Sequence, residues 1–317
     1  MVTFTVWCVS LVAQIVKFKA VIVNTYRRLN RIILPLKYLP GATANLLDIK
    51  MESPVDLFHF KKYAFILFCL SLCLQLPTLL GLFTVTTPQQ KSIYGSIEML
   101  LIALLLLNGW SIWRVLKRKY ATQGASYAWI LEVAKFCFIS LALCVMGDLI
   151  NRNFLELYYQ YGSNVEHTYL ADSVWFFFPG YSCFIYAVYL VARHKNLSLL
   201  FVGYTALIFI GIGILSFAGI YKEGAGAYVA TMTGGYASLI SVMCAAALWL
   251  LKSYGWQAMK WVALGAVLAP VADSLIGNFW IYREGYFPGI SYVNWIVYFT
   301  SQALIQQLPV KLSQLSS

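Results

Sequence analysis

The chain of 317 residues is 61% hydrophobic, 16% aromatic and only 11% charged, where soluble domains carry about 25% charged residues. Together with a mean hydropathy of +0.72 this excludes an ordinary soluble fold, and the 22 Tyr and 10 Trp suit the aromatic belts of a bilayer protein. The net charge of +11 is accordingly a signal of loop topology and not of nucleic-acid binding.

In chain order, residues 1–60 form a basic N-terminal segment. A short apolar stretch, 2–16, is followed by Lys17, Lys19, Arg27, Arg28, Arg31 and Lys37, and the first fifty residues hold seven Lys/Arg against one Asp. Three readings stay open: a basic interfacial helix or short ninth span, an uncleaved signal-like segment, or a true start at Met51. Residues 61–317 then read as a membrane domain. Eight apolar segments, near 63–83, 94–113, 127–150, 172–192, 197–220, 227–251, 258–281 and 290–309, each match the roughly 20 residues that a spanning helix needs. The expected fold is all-α and polytopic, with eight transmembrane helices and the lipid bilayer as partner.

Lys61, Lys62, Arg114, Lys117, Arg118, Lys119, Arg193, Lys195, Lys252, Lys260 and Lys311 fall on one side of these segments. Lys91, Arg152, Lys222 and Arg283 fall on the other. The excess of basic residues predicts that the first side is cytoplasmic, with both termini inside, in a multi-pass protein of the cytoplasmic (inner) membrane. The seven cysteines lie in apolar runs without CxxC spacing, so neither a disulfide framework nor a zinc site is expected. His59, His167 and His194 are scattered over loops, and G-x-S-x-G, phosphate-loop and dinucleotide signatures are missing from the sequence. No cofactor, metal or nucleic-acid partner is expected.

One pattern occurs twice. Asp148-Leu149-Ile150-Asn151-Arg152-Asn153-Phe154 closes the third segment, and Asp273-Ser274-Leu275-Ile276-Gly277-Asn278-Phe279 closes the seventh, 125 residues later. Both read Asp-x4-Asn-Phe. Each precedes a tyrosine-rich loop and a span that opens on aromatic residues, around Trp175 and Trp295. This predicts two parallel four-helix repeats, about 61–195 and 196–311.

Ionisable residues inside spans are costly and mark candidate sites. Glu132 and Lys135, spaced i,i+3, are expected to neutralise one another on one helix face. Glu98 is expected in the first turn of its helix, where the dipole favours a carboxylate. Asp148 and Asp273 occupy equivalent places in the two repeats and could meet in one outward-facing pocket. Two carboxylates in such a pocket can share a proton, one acting as acid while the other activates water. The structural alternative makes each a helix-end cap, or a partner of Arg152 or Arg283. The remaining candidate ligand-binding residues are Asn153, Tyr158, Asp172, Trp175, Asn278, Tyr286, Trp295 and Gln302, and an aromatic lining from Tyr158, Tyr161, Trp175, Tyr286 and Trp295 is a further expectation.

Two family resemblances attach to these motifs. Gly147-Asp148, Glu156, Leu170-Ala171-Asp172 and Pro179-Gly180-Tyr181, matched in the second half by Ala272-Asp273, Pro288-Gly289 and Asn294-Trp295, resemble the multi-span sensor region of bacterial diguanylate cyclases and histidine kinases. That resemblance implies a receptor module for a small or lipidic ligand. The chain ends six residues after Lys311, so signalling output is expected from a separate cytoplasmic partner. Gly147-Asp148, Ala272-Asp273 and the Tyr298-x-x-x-Gln302-x-Leu304-Ile305 pattern are similar to the YhhN-like lysoplasmalogenases, eight-span enzymes. That similarity implies an ether-lipid hydrolase with Asp148 and Asp273 as catalytic residues. The receptor is the first reading and the hydrolase the alternative; the sequence leaves enzyme or non-enzyme, and the oligomeric state, open.

Overall fold

The computed structural model describes residues 57–121, 127–152, 170–281 and 289–316, with the side chains of residues 280 and 281 left aside. Residues 1–56, with their three readings, lie outside the described residues. The described residues are helical, without a strand: α1 (Phe58–Leu79), α2 (Pro88–Tyr120), α3 (Ala128–Arg152), α4 (Leu170–His194), α5 (Leu199–Ile220), α6 (Ala227–Tyr254), α7 (Trp256–Leu275), α8 (Ile290–Ile305) and α9 (Leu308–Leu315). Beyond Leu275, α7 passes into a π-helical turn, Ile276–Ile281. Among the described residues, α1 to α7 are long and apolar enough to cross a membrane, seven helices in all.

The eighth expected segment is divided. Pro309 lies in the first turn of α9; it has no N–H to offer the Ile305 carbonyl, and its ring crowds that carbonyl. The helix therefore stops, and α8 has only 16 residues. Gln306 fixes the break by donating from Nε2 to the Cys137 carbonyl at 2.9 Å. The short α9 packs on α3, α2 and α7, and Tyr120 and Ser313 share a 2.7 Å hydrogen bond there.

Helix α2 starts earlier than its apolar residues suggest. Thr87 accepts from the Gln90 amide at 3.2 Å, Gln90 Oε1 accepts from the Thr87 amide at 3.1 Å, and Pro88 opens the first turn. This capping box with proline just inside it is a strong helix start. It corrects the expected position of Glu98, which lies ten residues into α2 and is 2% exposed. The expected pair on α3 is formed, Lys135 Nζ standing 2.7 Å from Glu132 Oε2.

Helices α1, α2, α3, α4, α6, α7 and α8 pack in that order and close through α8 against α1, with α5 laid outside on α6. Of its most apolar stretch, 11% is buried against protein, compared with 33–50% for the other six long helices. An interhelical hydrogen bond, from Trp249 Nε1 to Thr205 Oγ1 at 2.7 Å, ties it to α6. Without a hydrophobic drive between helices in lipid, close backbone approach carries the packing. At Gly147 on α3 a Cβ would meet the Phe177 ring of α4 at 2.7 Å, so glycine there lets Phe177 lie beside Asp148.

Candidate functional site

Asp148 stands one turn before the end of α3, and Asp273 two residues before the end of α7. Pro270 interrupts the regular amide ladder just ahead of Asp273, and the π-helical turn follows it; such turns re-aim side chains in otherwise regular helices. The two aspartates line one cavity of about 190 Å³, walled by α3, α4, α7 and α8. A tyrosine hydroxyl from another helix holds each. Tyr298 of α8 donates to Asp148 Oδ2 at 2.7 Å, and Tyr236 of α6 donates to Asp273 Oδ2 at 2.7 Å. Asp148 is 5% exposed, whereas Asp273 is half-buried.

Aromatic rings bind these groups together. Phe177 lies edge-on to Tyr298, with centroids 6.3 Å apart, and within 6.4 Å of Tyr236. Tyr181 packs on both Phe177 and Tyr236 at 6.3 Å, and accepts a 3.1 Å hydrogen bond from Gln302 Nε2, one turn along α8 from Tyr298. The carboxylates thus sit on a rigid, buried base.

A second polar layer supports the cavity wall. Arg152, the last residue of α3, lines the cavity, forms an ion pair with Glu98 and lies 4.9 Å over the Trp295 ring. Glu98 also accepts from Gln75 Nε2 at 2.6 Å, and Gln75 Oε1 accepts from the Tyr94 hydroxyl at 2.9 Å. The alternative pairing of Asp148 with Arg152 is not the arrangement found: Arg152 turns to Glu98. Around the same cavity, Asn151 Oδ1, Asn294 Oδ1 and Trp295 Nε1 are buried without a hydrogen-bond partner among the described residues. Unpaired buried polar atoms are rare in proteins, and these three belong to residues that line the aspartate cavity.

The other expected site residues are dispersed. Trp295 is in the cavity wall, and Gln302 is fully buried beneath it on Tyr181. Asn278 lines a neighbouring cavity, its Nδ2 donating to the Ser274 carbonyl at 2.7 Å. Asp172 and Trp175 form a separate cluster between α4 and α6: Tyr228 donates to Asp172 Oδ1 at 2.6 Å, and Trp175 Nε1 donates to Tyr228 at 3.1 Å. They do not line the aspartate cavity. Asn153, Tyr158, Tyr161 and Tyr286 lie outside the described residues. Tyr236 and Phe177 were not expected at the site, and Tyr181, Asn151, Asn294 and Tyr298 entered only as parts of motifs. Its i,i+4 spacing to Gln302, which puts both on one helix face, was the available signal.

These features define the class: a polytopic helical membrane protein with a carboxylate pair in a polar cavity between its spans. The YhhN family model matches residues 96–308, about two thirds of the chain, which belongs to the YhhN family. No curated protein and no solved structure matches it significantly. The match agrees with the second resemblance drawn from the motifs; nothing in the comparisons supports the sensor-region resemblance.

Proposed function

We propose that this chain is a membrane-embedded hydrolase of vinyl-ether lysolipids that works with Asp148 and Asp273. The observation that carries the reading is that both aspartates, each held by a tyrosine, line one cavity. Membership of the YhhN family supports it. In the proposed reaction one carboxyl group gives its proton to the vinyl carbon remote from oxygen. The resulting oxocarbenium ion takes up water at the oxygen-bearing carbon, and the other carboxylate accepts the water's proton. The hemiacetal then collapses: its C–O bond to glycerol breaks, the hydroxyl proton passes to the glycerol oxygen, and aldehyde and alcohol leave. One water is consumed, with no oxidant or reductant.

Purified full-length protein in detergent should release fatty aldehyde from a vinyl-ether lysophospholipid. Asp148→Asn and Asp273→Asn should each reduce turnover by about 100-fold or more, the usual scale for a lost acid or base, while thermal unfolding shows a folded protein. A wild-type protein that releases no aldehyde, yet is stabilised against heat by the same lysolipid, would replace the hydrolase with the receptor reading.

The proposed setting is the cytoplasmic membrane, with α8 and α9 together completing an eighth span and both termini inside. The proposal of two parallel repeats rests on the repeated Asp-x4-Asn-Phe; the packing departs from it, because α1 closes on α8 while α5 lies outside on α6. Reporter fusions after Lys119 and Lys195 should read as cytoplasmic and a fusion at Gly224 as exterior. The reverse pattern would overturn the orientation.

A further inference from the structure

A second cavity, of about 130 Å³, adjoins the first between α4, α5, α6 and α7. The two share Asn151, Leu170, Phe177, Asp273 and Ile276 in their walls. The second is the more apolar of the two. Four hydroxyls of the second cavity turn back to carbonyls of their own helices: Ser173 to Leu170 at 2.7 Å, Thr233 to Val229 at 2.7 Å, Ser241 to Ala237 at 2.8 Å and Ser274 to Pro270 at 2.6 Å. Their donors are used up locally; Val174, Phe217, Ile220, Ile240 and Pro270 make much of the remaining wall hydrocarbon, with Asn151, Ser216, Tyr236, Asp273 and Asn278 as its other polar members.

We infer that this second cavity holds the start of the single hydrocarbon chain of the lipid substrate, placing the junction between chain and headgroup at Asp273. The inference rests on the proposed ether-lipid reading. Three features select this occupant. Four of the wall hydroxyls are satisfied by their own helices, so the wall between α4, α5 and α6 favours an apolar guest, while Arg152, Asn294 and Trp295 line the cavity across Asp273 and suit a polar headgroup. The volume is close to that of an apolar cavity of about 150 Å³ that admits benzene, so it takes the first few carbons of a chain. The outer wall is α5, the long helix least buried by protein, so the remaining chain can continue past it into lipid. A diacyl lipid would need a second slot of this kind beside Asp273; the polar cavity does not supply one.

The test uses a non-hydrolysable saturated-ether lysophospholipid with a diazirine on its chain near the ether oxygen, photolysed with the full-length protein. Labelling should fall on peptides of α5 and α6 around Phe217 and Ile240. It should be competed by a long-chain lysophospholipid and not by glycerophosphocholine, which lacks the chain. Ser216 lines the cavity from α5 and is exposed, so Ser216→Trp should block the chain without disturbing the core and reduce labelling by about tenfold. Leu215→Trp, at a neighbouring exposed position, should not. Labelling confined to the Trp295 wall, or spread over all lipid-facing helices and unaffected by Ser216→Trp, would overturn the chain site. Because crosslinking needs no turnover, the two readings can fail separately: labelling without hydrolysis would retain the chain site and remove the hydrolase, and hydrolysis without labelling would do the opposite.

Discussion

On the α1–α2–α3–α8 side of the aspartate pair, polar groups are tied from helix to helix, through Tyr94, Gln75, Glu98, Arg152 and the Trp295 ring. On the α4–α5–α6–α7 side the serine and threonine hydroxyls of the second cavity fold back onto their own helices, and the helices are joined by separate links: Tyr236 to Asp273, Tyr228 to Asp172, Trp175 to Tyr228 and, for the outer helix, Trp249 to Thr205. The first arrangement removes several polar groups from lipid at once and cross-links four helices, so it is stiff. The second joins its helices by separate bonds and not by one continuous network, and keeps a largely apolar space between α4, α5 and α6. The proposed site, holding charge on one flank and admitting hydrocarbon on the other, would use both.

The largest effect should come from breaking the first side. Arg152→Ala leaves Glu98, 2% exposed, as a buried carboxylate without its cation, a loss on the order of 3 kcal/mol. Thermal unfolding in detergent should show a large fall in Tm. Glu98→Gln should cost less than half as much, because Arg152 has a side chain 28% exposed and faces the cavity, where its charge can be solvated. Equal losses from the two substitutions would mean that the pair is not asymmetrically buried.

A smaller effect is expected on the other side. Thr205→Val removes the acceptor of Trp249 Nε1 and should cost about 1 kcal/mol, the scale of an interhelical hydrogen bond in a membrane protein. Limited proteolysis should then cut the α5–α6 connection faster while the α1–α4 region stays protected. A loss as large as that of Arg152→Ala would remove the contrast between a stiff flank and a loose one.

This contrast also explains what could be read from the sequence. The apolar segments, the Glu132–Lys135 pair and the repeated aspartates were legible, because length, i,i+3 spacing and a charge inside a span are local properties. The partners of those charges were not. Tyr236 and Tyr298 reach their aspartates from other helices, and which face of an apolar helix turns inward leaves little trace when both lipid and protein interior favour hydrocarbon. Glu98 was misplaced because the apolar run began later than the helix. The Thr87-Pro88-Gln89-Gln90 capping signature marked the true start in polar residues that a hydropathy window passes over. Asp172 and Trp175 followed the repeat pattern but paired with Tyr228 away from the cavity, since similarity of sequence position does not fix helix rotation.

In the proposed reaction, a carboxyl group beside the chain protonates carbon and so opens the ether. The most direct measurement is the fate of solvent deuterium. The full-length protein is given a vinyl-ether lysophospholipid in deuterium oxide, the released aldehyde is trapped at once by reduction, and the resulting alcohol is examined by mass spectrometry. The account predicts a single deuterium on the carbon next to the former aldehyde carbon, in wild-type protein and not above background in Asp148→Asn or Asp273→Asn. Turnover that leaves this carbon without deuterium would contradict it, because the ether would then have been cleaved without proton transfer to the double bond.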